Sequence, residues 1–358
     1  MRRFWRRSGR PWPVKPATGE ALETGEEGGL RRGKPAYMRD EPGMREAETM
    51  ADRQPPLEGA TEAAIVCQGL TKKYGATVAV DGIDWIVPKG SVTGLVGPNG
   101  AGKSTTLKML IGLVRPTAGR AWVLGRDVTA ESLDVRVRTG YMPEEDSLLR
   151  WMTAEDALAF SRLLYPTWSD ALFRETLDLF GLSPKVPVSK MSKGMRRQLA
   201  LALAVAQRPE LLLLDEPTSG LDPERRRDFL NVILKSVARE GVTVVMSSHQ
   251  LHEVERVADR VAFMRAGRIV LESDLDALKE AARRIRVVFQ GEPPPDLAQW
   301  EGVVRVEADG RFHVLQVSGD VDALIARLKA YNPFVVEVVE HNLEDLYFET
   351  GGKGGTRP

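Results

Sequence analysis

Three things are scarce in this chain of 358 residues, and each scarcity excludes something. It has a single cysteine, Cys67, which rules out an intrachain disulfide and any metal site built from clustered thiolates, and which suits a reducing compartment. It has no excess of charge: 50 Lys and Arg cancel 50 Asp and Glu, so no overall field points to a nucleic-acid partner. It also has no long apolar run. The longest, Leu199 to Ala206, falls far short of the roughly twenty residues that span a bilayer, so any membrane role must be borrowed from a partner. What is present is a 42% apolar composition, enough for a large core and for two domains, or one large domain with an appendage.

Residues 1 to about 60 hold seven Pro and eight Gly with little hydrophobic periodicity, and the expectation there is a disordered tail. Its first sixteen residues carry six basic side chains, no acid, and Phe4, Trp5 and Trp12. That composition reads as a solvated tail or as sequence ahead of a natural start, for which Met50 is a candidate; a contact with anionic lipid or nucleic acid is the alternative. No apolar segment supports a secretion signal. From about 61 to 281, apolar strand-like runs (64–66, 83–87, 92–96, 211–214, 242–246, 261–264) alternate with helical ones, which predicts an α/β sheet covered by helices. Between Pro143 and Pro209 the pattern is almost wholly helical, with helices expected over 154–164, 170–180 and 195–206, so a helical subdomain at about 145–207 is expected inside the sheet domain. Residues 282–348 alternate again, with strands near 285–289, 303–307, 312–317 and 335–339 around a helix near 321–331, and read as a small α+β domain ahead of a tail at 349–358.

The stretch Gly97-Pro98-Asn99-Gly100-Ala101-Gly102-Lys103-Ser104, followed by Thr105, fits Gly-x-x-x-x-Gly-Lys-[Ser/Thr] between a buried strand at 92–96 and a helix at 103–110. Its glycines let the backbone curl so that several N–H groups face an anion, and the helix N-terminus adds partial positive charge. Lys103 is expected to reach the β- and γ-phosphates of a nucleotide, and Ser104 to ligate Mg²⁺. Leu211-Leu212-Leu213-Leu214-Asp215-Glu216 is an apolar strand ending in two carboxylates at the sheet edge where ligands bind, and looks like a Walker B motif. Asp215 then belongs to the Mg²⁺ shell, and Glu216 positions and polarises the attacking water.

Between these motifs stands Met191-Ser192-Lys193-Gly194-Met195, followed by Arg196-Arg197-Gln198-Leu199, at the start of a helix. Here the chain resembles the ATP-binding cassette (ABC) ATPases, whose signature is Leu-Ser-Gly-Gly-Gln before a basic helix. Ser192 and Gly194 match the signature, while Lys193 replaces the first Gly and Met195 the Gln. The resemblance implies the ABC ATPase fold: a phosphate-loop core sheet with an antiparallel β part and an inserted helical subdomain. It implies that Tyr74 stacks on adenine, that Asp222 in Ser219-Gly220-Leu221-Asp222 lies at a dimer interface, and that His249 in Ser247-Ser248-His249 senses the γ-phosphate. Glu144 stands where most of the family has a Gln that links Mg²⁺ to the transmembrane contact, and a carboxylate can also bind Mg²⁺.

Glu144, Ser-Lys-Gly-Met at the signature and a short C-terminal domain are similar to cassettes of the sodium-extrusion and drug-resistance exporter type. The implied activity is hydrolysis of ATP with Mg²⁺ by two cassettes facing head to tail, driving separate permease subunits from the cytoplasmic face of a membrane. One phosphate loop and one signature occur here, so a second copy or a paralogue is implied. The alternatives are a soluble non-transport ABC ATPase of translation, cofactor assembly or repair, and a phosphate-loop kinase or other NTPase. The second leaves Ser192, Asp222 and His249 unexplained. His313 and His341 stand alone and are expected to pack, and residues 342–348 resemble the closing helix of related cassettes.

Overall fold

The computed structural model describes residues 62–339 apart from 146 and 282, so the expected tails, His341 and the helix at 342–348 lie outside the described residues. In chain order the elements are β1 (Ala63–Tyr74), β2 (Thr77–Pro88), β3 (Val92–Val96), α1 (Lys103–Leu110), β4 (Ala118–Val123), β5 (Arg126–Asp127), α2 (Ser132–Arg138) and β6 (Thr139–Met142). Then follow α3 (Ala154–Leu164), α4 (Asp170–Leu179), α5 (Lys193–Ala206), β7 (Leu211–Asp215), α6 (Pro223–Glu240), β8 (Thr243–Ser248), α7 (Leu251–Val254), β9 (Arg260–Arg265) and β10 (Arg268–Asp274). The last are α8 (Leu275–Ala281), β11 (Arg284–Val288), β12 (Val303–Asp309), β13 (Phe312–Val317), α9 (Val321–Lys329) and β14 (Val335–Val339).

Three sheets organise these elements. The central one runs β10-β9-β3-β8-β7-β6, parallel except for the β10–β9 pair. Its inner strands β3, β7 and β8 are buried along their whole length, as expected of parallel strands covered on both faces. Leu211 to Leu214 are all fully buried, and truncating any one to Ala is expected to cost about 2–5 kcal/mol. In the parallel register Val96 faces Ser248 and Asp215 faces Ser247, so β3, β7 and β8 reach their carboxyl ends side by side. This alignment builds the site.

The second sheet, β2-β1-β4-β5, is antiparallel. The strand expected at 64–66 in fact continues to Tyr74 and pairs with β2 across the Gly75–Ala76 turn, with several register shifts. Those bulges interrupt the alternation of apolar and polar residues, which hides the strand's length in the sequence. Cys67 is buried on β1, and burial, reinforced by the negative charge of Asp84, pushes its thiol well above the ordinary range. Only the thiolate is nucleophilic, so the folded protein is expected to resist maleimide at pH 8 and to take up one full equivalent once unfolded in guanidinium. Labelling of the folded protein at the unfolded rate would contradict this placement.

Helices α3, α4 and α5 share a core in which Phe173, Leu177, Leu199 and Ala202 are buried. Each starts on a side-chain cap: Thr153 forms a reciprocal capping box with Asp156, Ser169 accepts from Leu172 N–H, and Ser192 accepts from Met195 N–H. Helix α5 is apolar on most of its circumference and is buried accordingly, and it ends just ahead of Pro209. The third sheet, β12-β13-β11-β14, is antiparallel and packs Ile285, Val287 and Leu315 against Val321, Leu324 and Leu328 of α9. His313 is buried there, with its ring edge-to-face on Phe289 at 5.2 Å, a packing role.

Candidate functional site

The loop between β3 and α1 is held open by contacts that leave no room for side chains. A Cβ on Gly97 would lie 2.1 Å from Met264 O, and one on Gly102, whose φ is +109°, would lie 2.4 Å from Ala79 O. Gly267 N–H, from the β9–β10 turn, donates to Ala101 O at 2.9 Å, and Gly97 N–H donates to Ser248 O at 3.2 Å. The loop is therefore braced by β2, by β8 and by the β9–β10 turn. Pro98, Asn99 and Gly100 are exposed at its crest, and Ser104 and Thr105 are half-buried on the first turn of α1.

Lys103 is only 5% exposed. Its ammonium donates to Gly97 O at 2.7 Å and Pro98 O at 3.3 Å and pairs with Glu216 Oε1 at 3.2 Å. The other oxygen of Glu216 is 2.7 Å from His249 Nδ1. Glu216 is thus clamped between a cation from the phosphate loop and the ring that follows β8. Its backbone is in the left-handed region (φ 45°), a conformation costing a non-glycine residue about 1–3 kcal/mol. Two buried contacts hold it there: Arg197 Nη2 donates to Glu216 O at 2.8 Å, and Glu216 N–H donates to Ser247 Oγ at 2.9 Å.

Asp215 is fully buried, and its Oδ1 accepts from Ser104 Oγ at 3.0 Å and from Ser247 Oγ at 2.7 Å. Its Oδ2 is buried with no hydrogen-bond partner, and so is the phenol oxygen of Tyr141 on β6. Burial first, then the charges of Asp215 and Glu144, raise the Tyr141 phenol far above its usual range, so it remains a proton donor. An orphaned carboxylate oxygen beside a serine hydroxyl fits a divalent cation that takes most of its ligands from phosphate and water. Among the described residues no group of three or more His, Cys, Asp or Glu is arranged to hold a metal alone. Glu144 is exposed and lines a small crevice with Pro143, Lys193 and Arg196.

Of the residues singled out in the sequence, Gly97 to Ser104, Asp215, Glu216 and His249 thus come together at one sheet edge. Ser192, Gly194 and Asp222 form a second cluster. Ser192 Oγ accepts from Arg225 Nη1 at 3.1 Å, and Arg225 in turn pairs with Asp222 Oδ2 through Nε at 3.3 Å. A Cβ on Gly194 would meet Arg225 Nη1 at 2.9 Å and Leu221 Cδ2 at 3.3 Å. Tyr74 stands apart from both, half exposed where β1 turns into β2, with Lys72 Nζ 5.0 Å from its ring centre. Ser247, Arg197 and Arg225 are contributors the sequence reading does not single out. Ser247 carried a usable signal, a hydroxyl just after the apolar run Val244-Val245-Met246, whereas the two arginines sit in runs of basic residues that look solvated.

Residues 80–219 match the family model described as ABC transporter. The daunorubicin/doxorubicin resistance ATP-binding protein DrrA of Streptomyces peucetius is 40% identical over 223 residues, 61% of this chain and 67% of that protein. The Nod factor export ATP-binding protein I of Sinorhizobium fredii is 34% identical over 301 residues, 82% of this chain and 87% of that protein. The bacitracin transport ATP-binding protein BcrA of Bacillus licheniformis is 31% identical over 306 residues, 80% of this chain and 96% of that one. Among solved structures, an ATP-binding subunit of an ABC transporter superposes with TM-score 0.56 at 28% identity, covering 60% of this chain and 92% of that chain. A dimeric bacterial ABC transporter cassette, MJ0796, shares the fold with TM-score 0.54 at 23% identity, over 59% of this chain and 98% of that one. The glycine-rich loop, the acidic strand end and His249 meeting at one sheet edge, together with these likenesses, place the chain in the ABC transporter family, as an ATP-binding and ATP-hydrolysing subunit.

Proposed function

We propose that this chain is the motor subunit of an exporter: two copies, or one copy and a paralogue, close head to tail on ATP and drive separate membrane subunits from the cytoplasmic face. The observation that carries the proposal is the division of the site residues into two clusters. Lys103, Glu216 and His249 can bind and hydrolyse, but Ser192, Gly194 and Asp222 make their contacts elsewhere in the chain. A second subunit's signature completing each phosphate site accounts for both clusters. Export is supported by the relatives, whose names speak of drug resistance and Nod factor export.

In this reading the backbone N–H groups of 97–104 and the Lys103 ammonium bind the β- and γ-phosphates, and Tyr74 packs on the adenine. Ser104 and Asp215 are the residues that would hold Mg²⁺, with Glu144 or its neighbours at the outer edge; when bound, the ion neutralises charge on the phosphates. Glu216 orients the attacking water and takes its proton. His249, donating through Nδ1, fixes that carboxylate, and its Nε2, 3.4 Å from Gln250 Nε2, is left to engage the terminal phosphate. The described part of the accessory domain, residues 283–339, contributes no residue to this chemistry.

The membrane partner has a candidate seat. Leu149 (52% exposed) and Trp151 (71%) stand out of the segment leading into α3, and Phe160 (55%), Leu163 (83%) and Leu164 (51%) lie along its C-terminal half. Exposed apolar residues so grouped mark an interaction surface. No helix among the described residues is long and apolar enough to cross a membrane. The tagged chain is therefore expected to bring down a polytopic subunit in stoichiometric amount from gently solubilised membranes, and the pair Trp151→Glu with Leu163→Glu to reduce that recovery by about tenfold or more. Recovery of a purely soluble partner would overturn the transport role, and undiminished recovery with the pair would overturn the seat.

A further inference from the structure

One buried carboxylate is not used by the chemistry above. Glu253 on α7 is 3% exposed, and each of its contacts reaches a different part of the machinery. Its Oε2 accepts from Thr218 Oγ1 and, at 3.3 Å, from Ser248 Oγ, while its Oε1 pairs with Arg226 Nε at 3.2 Å. Ser248 lies between Ser247, which holds Asp215 and Glu216 N–H, and His249, and its carbonyl receives Gly97 N–H of the phosphate loop. Thr218, 1% exposed, lies two residues beyond Glu216 on the segment leading to Asp222. Arg226 donates to Leu221 O at 3.4 Å, and its own N–H bonds Asp222 O at 2.9 Å.

A buried carboxylate is stable only when it is paired and its lone pairs are filled. Glu253 meets that condition with one cation and two hydroxyls, drawn from β8, from the 216–222 segment and from α6. Were any of these to move alone, the carboxylate would lose a partner inside the protein, so they move together or at high energetic cost. We propose that Glu253 is a positioning residue: it ties the segment carrying His249 to the segment carrying Asp222, so that engagement of a terminal phosphate by His249 is transmitted to the dimer face. This rests on the head-to-tail reading of the preceding subsection.

The test uses the full chain and ATP itself. In a Glu216→Gln background, which slows hydrolysis, ATP-dependent dimerisation is measured by sedimentation, and nucleotide affinity by equilibrium binding below the dimerisation concentration. Adding Glu253→Gln, which keeps the shape and removes the charge, is expected to weaken dimerisation by roughly tenfold while monomer affinity for ATP stays within about twofold. Thr218→Val, which deletes one hydroxyl at constant volume, is expected to shift dimerisation in the same direction and serves if Glu253→Gln does not fold. In the otherwise unaltered enzyme, Glu253→Gln is expected to lower kcat about tenfold with KM nearly unchanged, and to add little when His249→Ala is already present. Undiminished dimerisation in both variants, a parallel loss of monomer ATP affinity, or full additivity with His249→Ala would each overturn the coupling. Failure of Glu216→Gln by itself to dimerise on ATP would instead overturn the head-to-tail reading.

Discussion

Glu216→Gln is expected to reduce ATP turnover by about 10²- to 10⁴-fold while leaving ATP bound. The glutamine side chain has nearly the shape of the native one, which is only 7% exposed beside Lys103 and His249, and the backbone at 216 keeps its contacts with Arg197 and Ser247. What the amide lacks is basicity: it cannot accept the proton of the attacking water. Losing the charge also frees the Lys103 ammonium from its carboxylate contact, which favours its transfer to phosphate, so affinity is expected to hold or rise. Phosphate release at saturating ATP, together with binding of a fluorescent ATP analogue, checks both halves. Turnover at the native rate would remove Glu216 from the chemistry.

Lys103→Ala has the opposite signature. The Lys103 ammonium is buried at the mouth of a loop in which Gly97 and Gly102 leave no room for side chains. A charge-assisted contact of this kind is worth up to about 3 kcal/mol, or roughly 10² in affinity, and the substitution also leaves Glu216 buried beside His249 without its cation. ATP binding is expected to fall about a hundredfold, and the nucleotide-induced rise in Tm expected for the native chain is expected to vanish. Equal rises in Tm for the two proteins would contradict the phosphate-loop reading. The two substitutions thus separate binding from hydrolysis at side chains 3.2 Å apart.

How much of this was legible beforehand depends on the range of the interactions. β3, α1 and α3 stand where the apolar pattern put them, because a helix or buried strand declares itself within a dozen residues. The long hairpin of β1 and β2 does not, since bulges break its alternation. The sequence reading also passes over α6, whose Pro-Glu-Arg-Arg-Arg start resembles a solvated loop although Phe229, Leu230 and Ile233 bury its inner face. The Asn342 to Phe348 helix expected from the family lies outside the described residues.

The phosphate loop was determined by the sequence alone: its glycines, its lysine and its place between strand and helix are matters of neighbouring residues and allowed backbone angles. So were the paired carboxylates at the end of a leucine strand. Only the tertiary structure decided how these groups meet. Lys103, Glu216 and His249 lie far apart along the chain, and they converge because parallel pairing brings β3, β7 and β8 to a common edge in a register no local pattern specifies. The same pairing explains why Ser247, Arg197 and Glu253 were silent in the sequence. A serine, an arginine among arginines and a glutamate on a short helix acquire meaning only when burial removes water and leaves them Glu216, in the first two cases, and Arg226, in the third, as partners.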